Sequence, residues 1–344
     1  AELIDARGRF LMPGLMDNHY HYWRQRLFRG ADLLAMGVTS IREPGTPIAD
    51  GLNLRQAIDE GVLAGPRIYT LGPIIDGVGM NPMVDLRLNQ PEAAAAVVAS
   101  MHSLGVDGIK LYATLAPQVS VAVIAAAKKF QLPVTGHIAR TTWKEAMAAG
   151  IDGLTHAANY YHDFVPAPLR PKWGDEPVKV SVATSSTPPL RIDPTSAEVR
   201  SMLGEMARRG VMLDPTLLAY VRDEAELRQG GFDGYLEAAQ ISADIKALTL
   251  EAHRAGVQLL VGTDDKSMHD ELEMLERIGV PNAAILRAAT ANGARWLGKA
   301  AEFGTVQTGR RADLLLVDGD PLRQMKDIRN VELVVKDGRV VFAR

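Results

Sequence analysis

The 344-residue chain contains no cysteine. That removes disulfide frameworks, thiolate zinc sites, iron–sulfur clusters and cysteine nucleophiles together. Any metal must therefore rest on histidine, aspartate, glutamate or a lysine-derived oxygen. No apolar run reaches the roughly 18 residues of a membrane span, so no membrane partner is expected. Neither sign of charge dominates. With 38 basic and 41 acidic side chains the formal net charge is −3, which offers no electrostatic footprint for nucleic acid or an anionic surface. The opening segment AELIDARGR lacks an initiator methionine and the basic-then-apolar pattern of a signal peptide. A cytoplasmic location is the expectation, with a secreted or periplasmic one left open because a processed N-terminus would look the same. Also missing are a phosphate-cradling P-loop, a G-x-S-x-G elbow and an H-E-x-x-H helix, since His269-Asp270-Glu271 is not one. These absences favour hydroxide over a protein nucleophile.

What is present is an ordinary globular composition, 47% hydrophobic and 23% charged, with a distinct rhythm. Short β-branched apolar runs, each followed by an Ala/Leu-rich helical stretch, predict strands at 15–19, 39–43, 67–71, 108–112, 133–137, 153–156, 211–215 and 258–263. Helices are predicted between them, for instance at 92–104, 119–130, 141–149, 197–209 and 236–255, two of them closed by Gly150 and Gly210. Eight β-α units over residues 11–298 imply a parallel sheet closed into a (β/α)8 TIM barrel. The unit after His156 is abnormally long and proline-rich, an insertion over 157–195 that reads as a lid or pocket wall, or else as a surface excursion. Two β-rich runs joined by Asp337-Gly338 predict a hairpin. Residues 1–10 and 299–344 together should build a small β-sandwich part packed on the barrel.

Chemistry gathers at strand ends. His19 and His21 end the first strand two residues apart, so both imidazoles can face one metal ion. Lys110, His137, His156 and Asp264 stand within a residue or two of where four further apolar runs stop. In such a barrel these positions form the C-terminal rim where active sites are built. An ammonium has no lone pair for a cation, so Lys110 joins such a centre only as a free amine that has captured carbon dioxide as a carbamate. The alternative is an ordinary ion pair with Asp107 or Asp264, and the residues alone leave the two open.

The segments LMPGLMDNHYH (11–21), GVTSIRE (37–43), GIKLY (108–112), TGH (135–137), GLTH (153–156), GTD (262–264) and GRRAD (309–313) resemble the metal-dependent amidohydrolase superfamily. The nearest branch is that of imidazolonepropionase and Xaa-Pro dipeptidase-like enzymes. The resemblance covers nearly the whole chain in order. It implies a metal-dependent hydrolase of a C–N bond in a small amide, dipeptide or cyclic amide. It further implies two divalent ions, zinc foremost. His19, His21 and Asp264 hold the more buried ion, His137 and His156 the more exposed one, and a carboxylated Lys110 bridges them. Two departures stand out: Glu43 occupies a position where many relatives carry aspartate, and the N-terminal flank is short for the usual β-sandwich, as in a truncated or reduced appendage.

On that reading the cations share a hydroxide, and Asp264 takes its proton and passes it to the departing amine. Tyr112, on the inward face with Lys110, and Arg140, able to clamp a carboxylate, are candidate substrate contacts, as are Tyr161 and His162 at the start of the insertion. His102 and His253 read as helical structural residues, His269 stays unassigned, and Asp265 should point away from Asp264 if the strand persists. The expected partners are a small-molecule substrate and further copies of the chain. A lactone, carbamate or phosphotriester hydrolase is the alternative activity, and a binding or assembly protein on an inherited barrel the non-enzymatic one.

Overall fold

In the computed structural model, residues 5–22, 29–77, 85–165, 192–221 and 235–344 are described. The strands are β1 (Phe10–Pro13), β2 (Leu15–Asp17), β3 (Val38–Glu43), β4 (Arg67–Thr70), β5 (Ile74–Asp76), β6 (Asp85–Arg87), β7 (Ile109–Leu111), β8 (Val134–Gly136), β9 (Gly153–Thr155), β10 (Met212–Asp214), β11 (Leu314–Val317), β12 (Val331–Lys336) and β13 (Arg339–Ala343). Helices alternate with them on the pattern the sequence predicts, among them Ala94–Leu104, Pro117–Lys129, Trp143–Ala149, Ala197–Arg208 and Tyr235–Arg254. The result is a barrel-like α/β fold with parallel strands inside and helices outside. Apolar residues such as Leu15, Ile41, Ile109, Val134 and Leu154 are fully buried because strands covered by helices have no wet face. None of the described helices is long and apolar enough to cross a membrane.

The parallel strands form two arcs, β2-β3-β4 and β10-β9-β8-β7-β5-β6. The predicted third strand is where one arc gives way to the other. After β4 the chain turns through Gly72, at φ +68°, and Pro73, which has no N–H, and resumes as β5 in the second arc. A backbone bond spans the junction: Asp107 N–H donates to Thr70 O at 2.8 Å. β5 and β6 have no counterpart among the predicted strands.

The predicted eighth strand, 258–263, is not a ladder strand. It makes one parallel bridge, Leu213 to Leu259. A side-chain amide accounts for part of the difference: Asn292 Nδ2 donates to Leu259 O at 2.8 Å, taking a carbonyl a neighbouring strand would otherwise use. The segment still lies between its expected neighbours. Leu260 N–H donates to Leu213 O on one side, and Asn18 N–H to Val261 O on the other.

Beside the barrel, β1-β11-β12-β13 form a four-stranded antiparallel sheet made from both ends of the chain. The predicted hairpin is there: Lys336 pairs with Arg339 across Asp337 and Gly338, both at positive φ, as a two-residue turn in a twisted ribbon requires. Of the 157–195 insertion, 157–163 is a 3-10 helix and 192–195 leads into the helix Ala197–Arg208; the lid expectation falls on 166–191, outside the described residues.

Candidate metal centre

The strand-end rule brings the histidines together. His19 follows β2, His137 follows β8 and His156 follows β9 directly, and all three are withdrawn from water. His19 Nε2 stands 3.2 Å from His21 Nε2. Asp264 Oδ1 lies 3.9 Å from the first and 3.7 Å from the second. The His156 ring packs 4.8 Å from that of His19 and 4.4 Å from that of His137. Ligand atoms of His19, His156 and Asp264 all fall within 4.8 Å of one another.

The backbone at these points is bent to purpose. His156 sits at φ +65°, Asp264 at +47° and Asp265 at +72°. Left-handed residues other than glycine cost on the order of 1–2 kcal/mol each, and aspartate and histidine are among those that tolerate the region. Asp264 is fixed by its N–H donating to His19 O at 2.7 Å. Asp265 was expected to point away from the site. With both residues left-handed the extended alternation ends, and Asp265 Oδ1 instead accepts the His21 N–H at 2.7 Å.

Nearby carboxylates set the imidazoles. Glu43 Oε1 accepts from His21 Nδ1 at 3.0 Å and from Gly45 N–H at 3.0 Å, while Oε2 accepts from Tyr22 N–H at 2.8 Å. The longer glutamate at this position thus reaches His21 from outside. Behind His19 lies Asp214, with Oδ2 3.5 Å from His19 Nδ1 and 3.1 Å from Arg42 Nη2. Burial lifts the Asp214 carboxyl to about 6 against the pull of Arg42 and Lys110. Arg42, itself fully buried, donates to Asn18 O at 2.5 Å and stacks 4.3 Å over the Trp296 ring. Burial pushes Asp17 up to about 7, although Thr263 and the His19 N–H hold it down. His19 is driven well below the usual imidazole range by burial and then by the positive charge of Lys110.

The two facing Nε2 atoms test whether a cation fits. Glu43 accepts from His21 Nδ1, so that nitrogen carries the proton and Nε2 is bare. His19 Nδ1 lies 3.5 Å from Asp214 Oδ2 with no hydrogen-bond partner; with its proton on that nitrogen, two lone pairs meet at 3.2 Å. His19 resists protonation, so a proton between them is disfavoured. A metal ion resolves the conflict: two nitrogens at about 2.0–2.1 Å from zinc and at the tetrahedral angle stand roughly 3.3 Å apart.

Lys110 lies within β7, buried, and its Nζ donates to Thr155 Oγ1 at 3.0 Å. Asp107, one of its two possible partners by sequence, is instead engaged by Arg55 and the Thr70 N–H. Tyr112 is brought to the site, its ring 4.6 Å from His137. Arg140 is half-buried and its Nη1 reaches Thr114 O at 3.4 Å. Tyr161 and His162 pack ring on ring at 4.1 Å; burial pushes His162 down to about 4, and its Nε2 has no protein hydrogen-bond partner. His269 is away from the cluster, buried against Met36 O at 2.9 Å. His102 stacks on Phe130, as suits a structural histidine.

Asp214, Arg42, Thr216 and Glu271 were not singled out from the sequence. Asp214 ends a predicted strand like the other candidates, so the same rule could have found it. Arg42 carries no such signal, because a fully buried arginine looks like any other in a sequence.

A cluster of histidines at strand ends of a barrel-like α/β fold, with nitrogen and oxygen donors alone, has the makeup of a metal-binding site. The amidohydrolase family pattern matches residues 10–341, and the chain belongs to that family. Among curated proteins it is similar to the 5-methylthioadenosine/S-adenosylhomocysteine deaminase of Moorella thermoacetica, 32% identical over 117 residues, covering 26% of this chain and 27% of that protein. It is 25% identical to the enzyme of the same name from Desulforudis audaxviator over 92% of this chain and 74% of that one. The first match thus spans about a quarter of its relative's length. Among solved structures, a Xaa-Pro dipeptidase with bound methionine in the active site superposes with a TM-score of 0.70 at 23% identity, covering 97% of this chain and 87% of that one.

Proposed function

We propose that this chain hydrolyses the C–N bond of a small amide, a dipeptide or N-acyl amino acid in the first instance, with two divalent ions, zinc foremost. His19, His21 and Asp264 would hold one ion, His137 and His156 the other, and a carboxylated Lys110 both. The observation that carries the reading is the approach of His19 Nε2 and His21 Nε2 to 3.2 Å beside the Asp264 carboxylate. Bound there, the ions would lower the pKa of a shared water from 15.7 toward about 7 and polarise the scissile carbonyl.

The chain's own residues do the rest. Asp264 keeps 14% of its side chain exposed, against 1% for His19, so it is the member of the group that solvent reaches. It accepts the proton of the attacking water and returns it to the leaving nitrogen, which departs as an amine. Tyr112, whose ring lies 4.6 Å from that of His137, and the guanidinium of Arg140 would orient the substrate's polar end. The same reading takes the parallel strands as one eight-membered ring, supported by the bonds of 258–264 to neighbours on both sides.

Deamination of an aminopurine is the second reading, favoured by the names of the curated relatives. Elemental analysis combined with a substrate panel tests both. The panel holds Xaa-Pro and other dipeptides, N-acetyl amino acids, 5′-methylthioadenosine, a lactone and a phosphotriester. Metal near two equivalents with turnover of the amides supports the first reading. Turnover of the nucleoside alone replaces it with the second, and metal below one equivalent after zinc loading defeats both.

A further inference from the structure

The ring of His156 is held by a residue outside the proposed ligand set. Its Nδ1 lies 2.6 Å from Thr216 Oγ1. The Thr216 hydroxyl also stands 2.8 Å from its neighbour's carbonyl, Pro215 O, which can only accept. One hydroxyl has one proton, and with that proton on Pro215 O its oxygen must accept from the imidazole. Nδ1 of His156 is then the N–H, and Nε2 is the nitrogen left with a lone pair for the centre.

Thr216 does not take this position for free. It sits at φ +46°, a left-handed conformation that a β-branched residue adopts only under compulsion. The compulsion comes from the far side. Glu271, fully buried, accepts the N–H of Leu217 at 2.7 Å through Oε1 and that of Leu218 at 2.8 Å through Oε2. This clamp fixes the two residues following Thr216 and hence the direction of its side chain. The order of control runs from a helix carboxylate, through a strained threonine, to the tautomer of a histidine.

We infer that Thr216 is a positioning residue that locks His156 in its Nδ1–H tautomer for metal binding, and that Glu271 holds Thr216 in the conformation this needs. The inference rests on the metal-centre reading above and adds two residues to it. A threonine has the required geometry because its methyl fills the buried space while its hydroxyl both donates and accepts. Serine keeps the second property and valine only the first.

The test uses the full chain with zinc as the probe, and 15N-resolved imidazole spectra of the metal-free protein. Wild type should show His156 as the Nδ1–H form and bind zinc. Thr216→Val should mix the tautomers and weaken at least one zinc equivalent by about 10–100-fold, the usual effect of losing a partner to a ligand histidine. Thr216→Ser should restore both readouts, and Glu271→Gln should show a partial tautomer mixture. If Thr216→Val fails to fold, the wild-type spectrum still decides: His156 found as the Nε2–H form overturns the inference. So does a folded Thr216→Val with unchanged tautomer and zinc affinity. Wild type that binds no zinc but shows the Nδ1–H form, lost in Thr216→Val, defeats the metal reading while leaving the tautomer lock standing.

Discussion

Arg42 and Asp214 meet at 3.1 Å with both side chains completely withdrawn from solvent, one at the end of β3 and the other at the end of β10. The pair joins the two arcs of strands behind His19. Removing one member of such a pair leaves the other as an uncompensated buried charge, at a cost of about 3–5 kcal/mol. Arg42→Met should lose that much in urea unfolding. The double variant Arg42→Met/Asp214→Leu should recover part of it, and purely additive losses would contradict the pairing.

Glu43→Met removes the carboxylate acceptor on His21 Nδ1 while keeping nearly the side chain's length. Zinc affinity should fall by about 10–100-fold with the fold unchanged, as read by competition with a chromophoric chelator. Equal affinity would show that Glu43 does not set the His21 ring.

Asp264→Asn should retain the fold and lower kcat for an amide substrate by on the order of 100-fold or more, since proton transfer is lost at both the attacking water and the leaving nitrogen. An ester or lactone leaving group needs its proton less, so the same variant should be hurt less on a lactone. A uniform loss across both substrates would point to a binding role alone.

Burial pushes Glu271 up to about 8 from its ordinary 4.5. The folded state therefore keeps a proton that the unfolded chain releases. Its contribution to stability is fully present below the unfolded value and is lost as pH rises through the folded one. Unfolding of the metal-free protein should thus show stability from this group declining between about pH 5 and about pH 8. Glu271→Gln, which cannot ionise, should show a shallower decline over the same interval, and parallel curves would remove Glu271 from the account.

At Gly262 a Cβ would stand 2.4 Å from His19 Cβ and 2.6 Å from the Asp214 carboxylate. Neither can retreat, because one belongs to a proposed ligand and the other to the buried pair. Gly262→Ala should destabilise the protein by about 1–3 kcal/mol, as overpacking does, and reduce zinc binding with it. Thermal melts and zinc titration check both.

Much of this site was legible because barrel chemistry sits at strand ends, a rule of position that the sequence exposes. His19, His21, His137, His156 and Asp264 stand where apolar runs stop, and the fold brings their rings and carboxylate together. What stayed hidden depends on long-range pairing. The change of arc at Gly72-Pro73, after the third predicted strand, looks like an ordinary turn, and in the eighth the Leu259 carbonyl is taken by the distant Asn292. Glu271 lies 55 residues beyond Thr216, and nothing in the local pattern of either announces that one clamps the backbone of the other.

The sheet built from both chain ends has a consequence for biogenesis. β1 runs into β2 and so to His19, yet its partner β11 is made some three hundred residues later, and Asp17 is tied to Thr263 across 246 positions. Contacts this remote are won late, after most of the loop-closure entropy has been lost. On the ribosome, the earliest-synthesised part of the centre must therefore wait for the last strands to emerge, and a nascent chain cut short before them would leave its first imidazoles without a frame.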